Sequence, residues 1–332
     1  METFIGVHSE WNLGSPGGWD YQRITQNIGK ACWERVKSLS GLDLELDFDH
    51  PLLNPLTGFL AMLLRAQRKR HGTGKAFILV VAEEDTLETV VENQNLAKAL
   101  TAVDGVKAAL CAPHEVELSQ GRVCYKGEEA TLIFMDFNTD TMLNIHKEKD
   151  CAGLFEAIRQ GILVNPRGME SINPKGIFEV VTGLYRDRLS RTTVERTPWT
   201  RRFFSRETIA PDGSPIQDLV EWTWQNQEAL VLKPAHGYSG HGVFVGPLRD
   251  DWNMDVEQAL REGDYIVQEF IPLPLWTEEQ PWLEGDSGDL VIREWQTDFR
   301  CFITDAGLIG FVGRFGNVPT NVGSGGGVQA LA

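Results

Sequence analysis

The sequence predicts a mixed α/β chain of the α+β kind, and three observations predict it. A continuous apolar run, Ala76–Ala82, opens a strand, helix, strand order in the middle of the chain. Short β-rich segments follow one another toward the C-terminal side, and helical spacing of apolar residues dominates before residue 75. The 332 residues suffice for two or three packed units. Hydrophobic residues at 42% and charged residues at 23% exclude a disordered or fibrous chain.

The elements are expected in this order. Phe4–Trp19 starts as a short strand and runs into a loop rich in Gly, Ser and Pro. A helix begins near Asp20, its N-cap, and Ile24, Ile28, Cys32 and Val36 recur at i+4 on a face to be packed. Pro51–Gln67 forms a second helix, broken by the basic loop Arg68–Lys75. Next come the buried strand Ala76–Ala82, an acidic helical stretch Asp85–Leu100, a strand near Val106–Cys111, a hairpin through Ser119–Gly121 and a strand Thr131–Phe137. This order implies a parallel element. A helix at Ala152–Gln160 and a strand at Ile162–Val164 lead out of it. After Pro174 a helix carries Ile177, Val180, Val181, Leu184 and Leu189 on one side, before an Arg-rich connection. Ala229–Lys233, Gly242–Gly246, Tyr265–Phe270, Asp289–Ile292, Phe299–Ile303 and Leu308–Phe315 are expected to form an antiparallel sheet.

Charge narrows the function. Lys plus Arg number 31 against 47 Asp plus Glu, a net of −16, which repels nucleic-acid backbones and anionic membrane surfaces. The most apolar window is far shorter than the ~20 residues that span a bilayer, and Met1 opens no basic-then-apolar leader, so a cytoplasmic location is expected. The five cysteines are odd in number, scattered and never in CxxC, which predicts reduced thiols and neither a disulfide framework nor a zinc site.

Four motifs carry chemistry. Lys233-Pro234 ends a strand, and Gly237, Gly240 and Gly242 follow in a loop. Such a loop can fold its backbone N–H groups over phosphates, or it can be an ordinary glycine hairpin; the spacing and the strand that follows exclude a P-loop and a Rossmann turn. The segment Gln268-Glu269-Phe270-Ile271 ends a strand whose backbone could pair with an adenine edge, or is simply a buried strand with one exposed carboxylate. Asp298-Phe299-Arg300 and Arg314 lie on neighbouring strands beside the glycine-rich Asn317–Gly327, where two arginines can neutralise a phosphoryl group or pair with surface carboxylates. Glu10 and Asn12 share one strand face, a spacing suited to Mg²⁺.

Together these motifs resemble the ATP-grasp superfamily, and their order is similar to that of the circularly permuted, eukaryotic-type glutathione synthetase branch. Glu10-Trp11-Asn12 comes first and the terminal GGGV last; the GSPGG loop, the acidic EEDTLETVVEN stretch and the Asn173-Pro174-Lys175-Gly176 turn lie between. The resemblance implies antiparallel sheets around an ATP cleft with an inserted α/β substrate domain. Residues 1–74 would supply the metal-binding strand and helices, 75–165 the insert, and 166–332 the nucleotide-binding domain.

By the same resemblance the cofactors are ATP and Mg²⁺. Lys175 and Lys233 would hold the phosphates, with His236, Gly237, Ser239, Gly240 and Gly242 covering them. Gln268, Glu269 and Ile271 would hold adenine and ribose; Glu10, Asn12 and Asp298 would bind the metal. Arg300 and Arg314 would be catalytic, and Ser15, Glu84, Asn321 and Gly326 would bind substrate. Gly237 stands where the family carries a metal-binding Glu, and Met135 and Asn138 stand where it holds its dipeptide with an Arg and a Tyr, so a substrate other than γ-glutamylcysteine is expected.

The implied activity is an ATP-dependent carboxylate–amine ligase that works through an acyl phosphate and releases ADP and phosphate. Its partners would be small amino-acid or peptide-like substrates, with neither nucleic acid nor membrane. Two rivals stay open: a nucleotide-binding regulator without ligase activity, and a kinase using His236 or His241. A homodimer stays open as well.

Overall fold

The computed structural model describes residues 7–8, 11–165, 175–237, 240–272, 277–284, 289–317, 320 and 325–332. The chain is a mixed α/β protein of several small sheets, divided into two compact units. The smaller comprises Met1–Asn12 with Ser171–Trp276, the larger Leu13–Glu170 with Thr277–Ala332. The expected segment 75–165 therefore shares one unit with residues 13–74 and with the C-terminal strands.

In the larger unit, Ala76–Val81 is the centre of a parallel sheet, flanked by Val106–Cys111 and Leu132–Met135. All six of its residues are buried, as a strand covered on both faces requires, and this is why it reads as an unbroken apolar run. Phe77, Leu79 and Val81 pack with Ile133, Met135, Leu154 and Ala157 on one face. Ile78 and Val80 pack with Phe59, Leu63, Leu96, Leu100 and Phe134 on the other. A second sheet in this unit is antiparallel, in the order Thr277–Glu284, Asp289–Thr304, Gly307–Gly316, Gly327–Gln329. Its Phe302 and Val312 join the same core as Trp19 and Phe59.

The first helix differs from expectation in both its cap and its face. It spans Trp19–Ser40, and its N-cap is Gly18 at φ +98°. The acceptor that Asp20 was expected to provide comes from a distant residue. The Glu92 carboxylate accepts the backbone N–H of Gly18 at 2.9 Å, of Asp20 at 2.7 Å and of Tyr21 at 3.3 Å. Asp20 is buried inside the first turn and bonds Arg23 and Asn95. Ile28, Cys32 and Val36 are exposed, whereas Trp19, Asp20, Gln22 and Gln26 face inward. The inward face meets backbone N–H and carbonyl groups of the C-terminal segments, which calls for amides over apolar side chains. Gln22 donates to the Gln329 carbonyl at 3.0 Å and accepts from Gly313 N at 3.0 Å. Gln26 takes both the N–H and the carbonyl of Leu331, each at 2.6 Å.

Other boundaries moved. The second helix runs Pro55–His71, so half of the expected basic loop is helical. The acidic stretch is a single turn, Glu84–Thr86, and its helix begins only at Val91 and ends at Thr101. A helix at Thr139–Glu148, capped by the Asn138 side chain on Thr141 N at 2.8 Å, was not anticipated. Neither was the strand Thr277–Glu284, and Asp289–Thr304 is one long strand where two short ones were expected. Residues 7–8 and 11–18 form no strand; Phe4–Gly6 lie outside the described residues.

The smaller unit is built on an antiparallel sheet in the order Phe244–Val245, Leu230–Pro234, Tyr265–Glu269, Thr200–Arg202. The helices Leu219–Gln225 and Trp252–Glu262 cover it, with Trp199, Leu219, Leu232, Trp252, Val256 and Val267 in the core. The β-rich region thus supplies two antiparallel sheets, one per unit. Of the apolar residues expected on one side of the helix after Pro174, Val181 is buried while Leu184 and Leu189 are exposed, because that helix ends at Leu184.

Candidate functional site

In the smaller unit the Lys-Pro strand brings several expected residues together. Lys233 Nζ donates to Gln268 Oε1 on the neighbouring strand at 2.7 Å. Gln268 is buried, and its Nε2 is fixed on Thr200 Oγ1 at 2.9 Å. Buried Lys175 attaches to the start of the glycine loop twice: its N–H donates to the Ala235 carbonyl at 3.0 Å and its Nζ to the Gly237 carbonyl at 2.7 Å. The Lys233 ammonium thus donates to an amide oxygen and the Lys175 ammonium to a backbone carbonyl of the loop.

Gly240 and Gly242 have φ of +76° and +67°, a region that disfavours side chains. A Cβ on Gly242 would sit 2.8 Å from Tyr265 Oη and 2.9 Å from Pro234 Cγ. Close packing of the loop on its strand therefore demands glycine here, whatever the loop binds. His236 pairs through Nδ1 with Asp264 at 2.5 Å. Glu269 accepts from Trp199 N at 3.3 Å, and its own N–H donates to the Trp199 carbonyl at 2.8 Å. Ile271 follows, half-buried, while Ser239 lies outside the described residues.

In the larger unit Arg314 and Asp298 are cross-strand partners in register. Arg314 grips the carboxylate with two hydrogen bonds, Nε to Oδ1 at 2.7 Å and Nη2 to Oδ2 at 2.5 Å, and the Thr320 hydroxyl donates to Oδ2 as well. Asp298 is therefore a counter-ion for Arg314, and a metal ion would have to compete with the guanidinium. Among the described residues no group of three His, Cys, Asp or Glu is set to hold a metal. Asn12 closes the N-terminal stretch of the smaller unit, and Glu10 is outside the described residues.

The GSPGG loop, which carries Ser15, is held at three points. Asn165 Nδ2 donates to the Gly14 carbonyl at 2.9 Å, Arg300 Nη1 to the Gly17 carbonyl at 3.0 Å, and Glu92 takes Gly18 N. Asn165 also pairs with Met135 N at 3.1 Å and Met135 O at 2.6 Å, as a neighbouring strand would. Met135 is fully buried and Asn138 is a helix cap, so both have structural work at these positions. Glu84 is exposed and ion-paired with Lys149, which holds its carboxyl below the usual range. Gly326 leads into the last strand, its Cα 3.0 Å from where Gly316 would carry a Cβ; Asn321 is outside the described residues.

Sequence reasoning missed Asp136, Glu83 and Asn93. Asp136 directly follows the Leu132–Met135 strand, and burial lifts its carboxyl to about 6, with the Glu83 charge adding to the shift. Glu83 follows the central strand and is raised by burial and then by Asp85. Asn93 Nδ2 donates to Asp136 Oδ2 at 2.6 Å. The available signal was position: a carboxylate stands just past each of two apolar parallel strands, at the carboxyl ends where α/β sheets take ligands.

No family model and no curated protein matches this chain. Among solved structures it is similar to the "Putative gamma-glutamylcysteine synthetase" of Methylobacillus flagellatus KT. That similarity has 11% identity and a TM-score of 0.48, over 87% of this chain and 76% of that one.

Proposed function

We propose that the chain is an ATP-dependent carboxylate–amine ligase acting on small amino-acid or peptide-like substrates. The observation that supports it is the meeting of Lys175, Lys233 and the glycine loop at one end of the Lys-Pro strand. In this reading the two ammonium groups pair with phosphate oxygens, Gln268 orients Lys233, and the backbone of Gly237–Gly242 closes over the nucleotide. The hinge backbone at Ile271, just past the Tyr265–Glu269 strand, takes the adenine edge, with Glu269 beside the ribose. Arg300 and Arg314 neutralise the charge that develops as a substrate carboxylate is phosphorylated, and the Ser15 loop receives that carboxylate. The attacking amine then displaces phosphate, with no protein nucleophile. Mg²⁺ held by Glu10 and Asn12 would supply further neutralisation of phosphate charge. Residues 75–165 recognise the acceptor or the acid.

The test is ADP release with hydroxylamine present. A ligase releases ADP only with a carboxylate substrate and yields a hydroxamate. ATP binding without ADP release would mark a regulator, and ADP release with a stable phosphorylated product would mark a kinase.

A further inference from the structure

We propose that Asp136, together with Glu83 and Asn93, binds the ammonium group of an amine-bearing substrate. The assignment names the nucleophile's site in the ligase reading and rests on that reading for its role. Three observations carry it. Asp136 and Glu83 stand just past the carboxyl ends of two adjacent parallel strands, Leu132–Met135 and Ala76–Val81, the edge of an α/β sheet that receives ligands. Among the described residues neither carboxylate has a Lys or Arg ion-pair partner, whereas Glu84, next to Glu83 in sequence, is paired with Lys149. Asn93 is completely buried, and its Oδ1 has no hydrogen-bond partner, although Nδ2 of the same amide is bonded to Asp136.

A buried acceptor without a donor is a rare and costly state, and here it adjoins a carboxylate that is also short of donors. Acceptors of this kind call for a ligand that only donates. An ammonium has three N–H donors and one positive charge, and can spread them over Asp136, Glu83 and the amide oxygen. A divalent cation needs its oxygen ligands gathered around one point, and among the described residues no group of three His, Cys, Asp or Glu is so gathered. Glu92 does not take part, because its carboxylate is spent on the three N–H groups at the start of the first helix.

The test uses the full chain without nucleotide and radiolabelled glycinamide, a primary ammonium lacking a carboxylate, in equilibrium dialysis. Wild type should bind it saturably, and Asp136→Asn, which keeps an acceptor for Asn93, should weaken it about 10-fold or more, the loss expected for one charge-assisted contact. Glu83→Gln should weaken it less, and neutral acetamide should bind neither protein. Equal affinity in wild type and Asp136→Asn, or no saturable binding by wild type up to tens of millimolar, overturns the proposal. Displacement of glycinamide by Mg²⁺ alone at Asp136 also overturns it, in favour of a metal site. An ATP analogue is titrated in parallel: if it fails to bind wild type while glycinamide binds as expected, the ligase reading fails and the ammonium site stands.

Discussion

Lys233 and Asp136 show how one residue's surroundings decide its chemistry. Lys233 is oriented by Gln268, which Thr200 fixes in turn, so its ammonium is positioned before any ligand arrives. Lys233→Met should weaken ATP binding about 10- to 100-fold, the size of a lost charge-assisted contact, and calorimetry will show unchanged affinity if the lysine does not touch phosphate. Asp136 titrates near 6 in the folded chain against an ordinary 3.8. Between those values the folded state binds more protons than the unfolded state, so stability falls as pH rises through about 4 to 6 and is flat above. The penalty at neutral pH is on the order of 2–3 kcal/mol, and Asp136→Asn should remove it. Denaturant midpoints at pH 4 and pH 7 should therefore drop less in the variant than in wild type; equal drops would refute the burial argument.

At the scale of elements, the first helix depends on acceptors far from it in sequence. Gly18 has no side chain to cap the helix, and Glu92, 74 residues on, accepts three N–H groups at its start. A carboxylate there also meets the positive end of the helix. Glu92→Ala leaves those donors unmet and should cost about 2–4 kcal/mol, while Glu92→Gln keeps an acceptor and should cost less. Chemical denaturation decides: an alanine variant as stable as wild type would show that the cap contributes nothing. The expected Asp20 cap failed for a local reason, since Trp19 already begins the helix and places Asp20 inside it. The expected apolar face failed for another. Spacing reports which residues share a side, not whether the neighbour on that side is an apolar core or the backbone that Gln22 and Gln26 bond.

The whole molecule carries a net charge of −16, and that is a property of composition alone. It predicts that a DNA duplex shows no mobility shift with this protein even at about 50 mM salt, where phosphate contacts are strongest; a shift that weakens with added salt would contradict it. No helix among the described residues is long and apolar enough to cross a membrane.

By itself the sequence determined the elements whose burial leaves a local mark. Ala76–Val81 and Leu132–Met135 are buried along their whole length, so they appear as apolar runs, and the order of elements around them dictates parallel pairing. Ala152–Gln160 and Val106–Cys111 stand where their spacing put them. The Lys-Pro strand and its glycines were legible as well, because residues close in sequence carry them. Only tertiary structure decided which polar groups meet. Arg314 with Asp298, Asn93 with Asp136, Glu92 with Gly18 and Gln26 with Leu331 are separated by 16, 43, 74 and 305 residues. A hydrogen bond across such a distance imposes no period on the chain between its partners, so nothing in the sequence announces it until the fold brings the two groups together.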